Sequence, residues 1–197
     1  MSMRWAFLLV SGIFLIAKGN APGANVAAAD VSLSGPTIKA GALKFTVPSR
    51  WQSVPVENPE SRAAQWHVPV PHGEEGDGGE VVVFYFGPKL GGDVKENIDA
   101  WDAGILNPDG HPAAGDVKTH MVNGTKMTVV ALFGSYNQPS SISGLPPVIK
   151  ANYGLLGAVV ENGQGNIYWR FTGPEALIRA NLPLFNKILD SVKPQEK

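Results

Sequence analysis

Apolar and polar positions alternate from Leu43 to Val47, with Lys44 and Thr46 between Leu43, Phe45 and Val47. That period predicts a half-buried strand, which Pro48 ends. Ala63 to Val68 is a second strand candidate. Glu80 to Phe86 is apolar on both parities, with Val82, Phe84 and Phe86 facing one way and Val81, Val83 and Tyr85 the other, as in a strand buried on both sides. The period then changes: Val94, Ile98, Trp101 and Ile105 form one helical stripe, and Asp93 with Glu96 supplies the capping box that starts it. Asp116 to Val122 and Thr125 to Phe133 flank Asn123 and Gly124, the pair best suited to the two positive φ angles of a type I′ hairpin turn. Tyr153 to Glu161 and Ile167 to Thr172 form a second hairpin around residues 162–165. The last element is an amphipathic helix opened by Pro174 and carrying Ile178, Leu182, Phe185, Leu189 and Val192. Pro183 interrupts it, so either the helix kinks there or Asn181 caps a second one. Three strands, a helix, four strands and a helix predict an α+β fold: an antiparallel sheet of about seven strands flanked by helices on both faces.

The N-terminus carries a different pattern. Arg4 precedes the apolar run Trp5 to Ala17, and a small-residue stretch follows that ends in Ala27, Ala28 and Ala29. This is the layout of a secretory signal peptide, with cleavage expected after Ala29. A membrane anchor needs about 20 apolar residues, whereas this run is followed at once by Lys18, Gly19, Asn20, Pro22 and Gly23, so cleavage is favoured over an uncleaved anchor. The expected organisation is a signal peptide over residues 1–29, a leader or tether over 30–42 that serves alternatively as the edge of the first strand, a single domain over 43–193, and a tail over 194–197. The localisation expected is secreted or periplasmic, with no stable membrane span after cleavage.

Composition narrows the chemistry. The chain has no cysteine, which removes disulfides, thiol nucleophiles, zinc ribbons, iron–sulfur ligation and a lipid anchor together. Removing residues 1–29 takes away Arg4 and Lys18 and no acid, leaving 14 basic and 17 acidic side chains and a formal charge of −3. So even a balance offers no footprint for nucleic acid or an anionic membrane.

Phe45 to Pro48 running into Trp51 resembles the opening of PsbP-like α/β/α sandwich domains, and Phe185 to Val192 is similar to their closing helix. Arg62 to Gln65 with Val68 and Pro69, Val83 to Gly87, Leu155 to Glu161, and Thr172 to Pro174 resemble a set of uncharacterised secreted bacterial proteins of that shape. The resemblance spans residues 43–192. It implies a bacterial source, an α/β/α sandwich and a non-enzymatic accessory or binding role, and it brings no catalytic set.

The search for reactive groups is correspondingly thin. His67, His72, Glu74, Glu75 and Asp77 are the densest possible ligand group, but the segment is glycine-rich and reads as a solvated loop, so no metal and no cofactor are expected. There is no Gly-x-Ser-x-Gly elbow and no Ser-x-x-Lys pair, although Ser135, His111 and His120 keep a small secreted hydrolase open as the competing function. Glu57, Glu60, Glu80 and Glu161 form no recognisable pair for glycoside cleavage. Asn123 to Thr125 matches a glycosylation sequon, but the turn requires the same residues. Trp51, Trp101 and Trp169 occupy apolar phases and are expected in the core.

One anomaly remains between Tyr136 and Asn152, a long connection with Pro139, Pro146 and Pro147. Tyr136 and Arg170, the latter on the strand face of Tyr168, are the candidate binding residues, able to line a polar recess beside it. The structural alternative is that Tyr136 packs the loop down and Arg170 pairs with a nearby acid. No catalytic residue is assigned. The expected function is an exported, non-catalytic binding or accessory module that meets an envelope or extracellular protein or small ligand through its surface.

Overall fold

The computed structural model describes residues 33–71, 76–140 and 144–195, all within the unit Val31–Lys197. The expected signal peptide and its cleavage point after Ala29 lie outside them, as do His72, Glu74 and Glu75. The elements in chain order are β1 (Thr37–Ala40), β2 (Leu43–Thr46), β3 (Gln52–Ser53), β4 (Arg62–Val68), β5 (Gly79–Tyr85), α1 (Val94–Gly104) and β6 (Ile105–Leu106). There follow β7 (Asp116–Val122), β8 (Thr125–Gln138), β9 (Val148–Val160), β10 (Ile167–Pro174), α2 (Glu175–Asp190) and β11 (Lys193–Pro194).

The large sheet has 8 strands in the order β3-β4-β5-β10-β9-β8-β6, with β7 also paired to β8. Its pairings are antiparallel. One strand expected there is elsewhere. β2 joins β1 and β11 in a separate sheet of 3 strands, because its apolar face, Leu43 and Phe45, packs with the core side chains of α2 rather than beside another strand of the large sheet. The segment expected as a leader therefore contributes a strand, Ile38 facing Phe45 across the ladder, and the expected tail pairs Pro194 with Leu43.

Local chemistry explains the other elements. Asp93 accepts a hydrogen bond from the Glu96 N–H at 2.8 Å while Glu96 accepts from the Asp93 N–H at 2.8 Å, closing the capping box of α1. Asn123 and Gly124 adopt φ of 48° and 79°, and Val122 pairs with Thr125 across the resulting turn. α2 runs unbroken through Pro183. Asn181 is no cap of a second helix; its amide donates to the Leu177 carbonyl at 2.9 Å, one turn back.

Two apolar clusters hold the fold. α2, β2, Trp51, Trp66 and Val81 pack with Met127, Val129, Leu156, Ala158, Trp169 and Phe171. α1 packs Ile98 and Trp101 with Val130, Leu132, Leu155, Val159 and Tyr168. The two sets take residues of opposite parity from β8, β9 and β10, as the alternation of a strand requires. Trp169 is the hub of the first, with Phe45 edge-on at 5.2 Å, Trp66 stacked at 6.2 Å and Phe185 edge-on at 6.3 Å. Trp51, Trp101 and Trp169 are all buried. Truncating an aromatic so enclosed costs about 3–5 kcal/mol.

The expected long connection after Tyr136 is shorter than its sequence suggests. β8 continues to Gln138 and β9 begins at Val148, with Tyr136 opposite Lys150 and Gln138 opposite Val148. The ladder is extended because β6 supports it from the far side, Ile105 pairing with Tyr136 and Leu106 with Ser135. Gly134 permits that approach: a Cβ there would lie 2.3 Å from the Leu106 carbonyl oxygen. Among the described residues no helix is long and apolar enough to cross a membrane.

Candidate functional site

Five strand ends meet in a recess of about 400 Å³. His67 is next to last in β4, Glu80 second in β5 and Thr172 near the end of β10; the register makes Glu80 the direct neighbour of both, so the three side chains share one face in one row. Tyr136 and Gln138 come from the end of β8, and Lys150 and Tyr153 from the start of β9. Asp77 and Gly78 complete the lining just before β5. Gly78 has a steric role here, since a Cβ would lie 2.2 Å from Cε1 of His67 and 2.6 Å from the Val68 carbonyl oxygen.

A β-bulge makes the site. Lys150 and Tyr153 are three residues apart, a spacing that puts side chains on opposite faces of a regular strand. Yet Gly134 pairs with Tyr153 while Tyr136, two residues on, pairs with Lys150. β9 therefore holds one extra residue, Asn152 takes a left-handed φ of 55°, and both side chains turn to the same side. The Lys150 ammonium lies 5.3 Å from the Tyr153 ring centroid and donates to Asp77 Oδ2 at 3.1 Å; the Tyr153 hydroxyl donates to the same oxygen at 3.2 Å. Tyr136 stacks with Tyr153, centroids 6.1 Å apart and planes 13° from parallel.

The protonation states follow from these contacts. The hydrogen bond and charge of Lys150 hold the Asp77 carboxyl below the usual carboxylate range. The hydrogen bond to Asp77 raises the Lys150 ammonium above the ordinary lysine value. Burial raises the Tyr153 phenol.

Of the two residues singled out from sequence, Tyr136 lines the recess and Arg170 stands one diagonal step behind it. Arg170 Nη2 is 3.6 Å from Glu80 Oε2, the acid pairing that the structural alternative expected. Glu80 Oε1 accepts from Gln65 Nε2 at 2.9 Å, and Arg62 Nη1 donates to Gln65 Oε1 at 2.9 Å, so a polar row runs from the recess along β4. Phe84 lies under both guanidinium groups, 5.7 Å from Arg62 and 5.4 Å from Arg170. The structure brings Asp77 and His67 to the recess as well. Lys150 and Tyr153 were missed, because the only sequence signal for the bulge that unites them is an asparagine suited to positive φ at 152.

Other candidates separate. Among the described residues no group of three or more His, Asp or Glu side chains is placed to hold a metal. His120 of β7 pairs with Met127 of β8, eight residues along β8 from Ser135, or roughly 26 Å at the rise of a strand. His111 lies exposed in the turn after β6, its N–H donating to Asp109. A second groove of about 590 Å³ lies between Arg179 and Leu182 of α2 and Ala131 and Phe133 of β8. It is larger but less specific: Arg179 is already spent on Phe133, 3.7 Å from its ring centroid, and on Glu175 at 2.7 Å.

No family model and no curated protein matches the chain. The solution structure of cyanobacterial PsbP (CyanoP) from Synechocystis is similar with a TM-score of 0.48 and 11% sequence identity, covering 78% of this chain and 87% of that one. A crystal structure at 1.50 Å resolution from Bacteroides thetaiotaomicron is similar with a TM-score of 0.46 and 10% identity over 83% of this chain. The match covers 49% of that protein, so the present chain spans about half its length. These likenesses are of fold alone and assign the chain no role.

Proposed function

We propose that the chain is an exported, non-catalytic binding module whose ligand contact is the recess at the end of the large sheet. The observation that carries this reading is the state of the lining. Lys150 is paired with Asp77, the Tyr153 hydroxyl donates to the same carboxylate, and Glu80 is paired with Arg170, so the charged groups of the lining answer one another. What remains is a set of hydrogen-bonding groups and two tyrosine rings in a cavity at the small end of the ligand-site range, about 300–1,000 Å³. Export rests on Arg4, the apolar run to Ala17 and the small residues at Ala27 and Ala29. The scaffold in this reading is an α/β/α sandwich with α1 and α2 on opposite faces of the large sheet; the opposite parities of their packing partners support it.

Two measurements test the proposal. N-terminal sequencing of the protein recovered from an expressing bacterium outside the cytoplasm is expected to begin at Asp30; recovery of the intact N-terminus in the cytoplasm removes the export half. Amide chemical-shift mapping with a panel of neutral sugars, amino acids, dicarboxylates and inorganic phosphate is expected to move residues around Tyr136, Lys150 and Tyr153. A panel in which no compound moves them removes the binding half.

A further inference from the structure

Resting on the reading of the recess as a binding site, we propose that its ligand is a neutral saccharide of one or two rings. The balance of charge favours it over the main rivals. An anion drawn to Lys150 also meets the carboxylates of Asp77 and Glu80, and it gains full use of the ammonium only by breaking the 3.1 Å pair with Asp77. A cation drawn to those carboxylates finds them answered by Lys150 and Arg170, and the face of Tyr153 is already covered by the Lys150 ammonium. Such a ligand exchanges one contact for another and leaves the displaced like charge beside it, so it gains little over the pair it breaks. A ligand without net charge leaves both pairs in place.

The polar atoms suit hydroxyl groups, each of which both donates and accepts. A carboxylate accepts about four hydrogen bonds, and those from Lys150 and Tyr153 both arrive at Asp77 Oδ2, which among the described residues leaves Oδ1 to a ligand. The Gln138 amide and the Thr172 hydroxyl offer donors and acceptors together on adjoining walls. Tyr136, stacked on Tyr153 and lining the recess, adds the apolar surface of its own ring beside these groups, which matches the C–H face of a pyranose, and Tyr153 holds that ring in place. A purely polar wall would not select a sugar from water; a purely aromatic one would not orient it.

The test is amide chemical-shift titration of the folded protein with neutral mono- and disaccharides of gluco, galacto, manno and N-acetyl configuration. Glucosamine and glucuronate serve as charged counterparts of the same ring, and glycine and inorganic phosphate as unrelated probes. At least one neutral sugar is expected to shift the amides around Tyr136, Lys150 and Tyr153, binding at least about tenfold more tightly than either charged counterpart. Tyr153→Ala is expected to weaken that sugar by about tenfold or more, and Gln138→Ala, which leaves the aromatic pair intact, supplies a second readout should Tyr153→Ala not fold. If charged rings, glycine or phosphate bind the recess equally or better, the saccharide assignment falls while the binding-module reading stands. If no probe moves these amides, both fall.

Discussion

Gly157→Ala is the sharpest test of how the α1 layer is fitted to the sheet. A Cβ on Gly157 would stand 2.4 Å from Cε3 and 2.5 Å from Cζ3 of Trp101. Carbon contacts settle at about 3.5–4.0 Å, so the indole must retreat by roughly an ångström. It has no easy way to do so. Trp101 is 9% exposed, its ring is rigid, and Val130, Leu132, Leu155 and Val159 close around it, so α1 must move with it. Overpacking of this kind costs about 1–3 kcal/mol, and for a domain of this size 1 kcal/mol moves Tm by about 2–4 °C; a fall of about 2–12 °C is expected in a thermal melt and a matching loss in urea. The clash is specific to one partner, which makes the reasoning refutable. Trp101→Ala alone is expected to cost about 3–5 kcal/mol, and in that background Gly157→Ala is expected to be neutral or stabilising, because the new methyl enters vacated space and alanine is the better strand residue. A double-mutant cycle should therefore give a coupling of about 1 kcal/mol or more. If Gly157→Ala costs the same in both backgrounds within about 0.5 kcal/mol, Trp101 is not what makes glycine necessary there.

Three further outcomes are expected. Asn123→Ala loses the hydrogen bond from Nδ2 to the Val192 carbonyl at 2.9 Å and a residue tolerant of φ 48°, for a destabilisation of about 2 kcal/mol in urea; Asn123→Gly, which keeps the backbone freedom, should cost about half as much. Asp93→Ala removes the N-cap of α1 and should cost about 1 kcal/mol, with amide exchange accelerating first at the Glu96 N–H. In a carboxyl NMR titration Asp77 should have its midpoint below the ordinary aspartate value, and Lys150→Met should return it upward. The sign follows from linkage: a depressed carboxyl pKa gives stability that is present above the unfolded value and lost as pH falls through the folded one. The raised Lys150 and Tyr153 values give stability lost as pH rises through theirs. Lys150→Met should therefore flatten the stability profile at the acid end, while at the alkaline end the loss of the lysine's own titration is opposed by Tyr153, whose pKa Lys150 holds down.

The sequence pattern carried most of the large sheet and both helices, because each is written locally. Asp93 and Glu96 announce a helix start, Asn123 and Gly124 a hairpin, and the double apolar parity of Val81 to Phe84 a central strand. What failed was long-range or geometric. Leu43 to Val47 has the alternation of any half-buried strand, and alternation names no partner; β2 found β1 and β11. The prolines after Tyr136 suggested a loop, but backbone pairing to a strand on each side outweighed that preference as far as Gln138. Tyr136 was visible at the start of a long connection with three prolines, and Arg170 as a charge on the strand face of Tyr168. Lys150 and Tyr153 had no such mark, because their spacing assigns them to opposite faces until an extra residue in β9 reverses one of them.

The small sheet has a consequence for synthesis. β2 is completed only when Lys193 pairs with Lys44 and Pro194 with Leu43, and when Ser191 and Gln195 tie down Thr46 and Ala42 with hydrogen bonds of 2.9 Å each. At about 5–20 residues per second, the ribosome needs roughly 8 to 30 s to deliver those residues after β2 has emerged. Throughout that interval β2 has β1 alone for a neighbour, and an isolated two-stranded hairpin is marginal in water. Phe45 and Val47 wait uncovered, and α2, which encloses them, is itself late. The nascent chain therefore stays open, and closure of its core is timed by the arrival of residues 175–195.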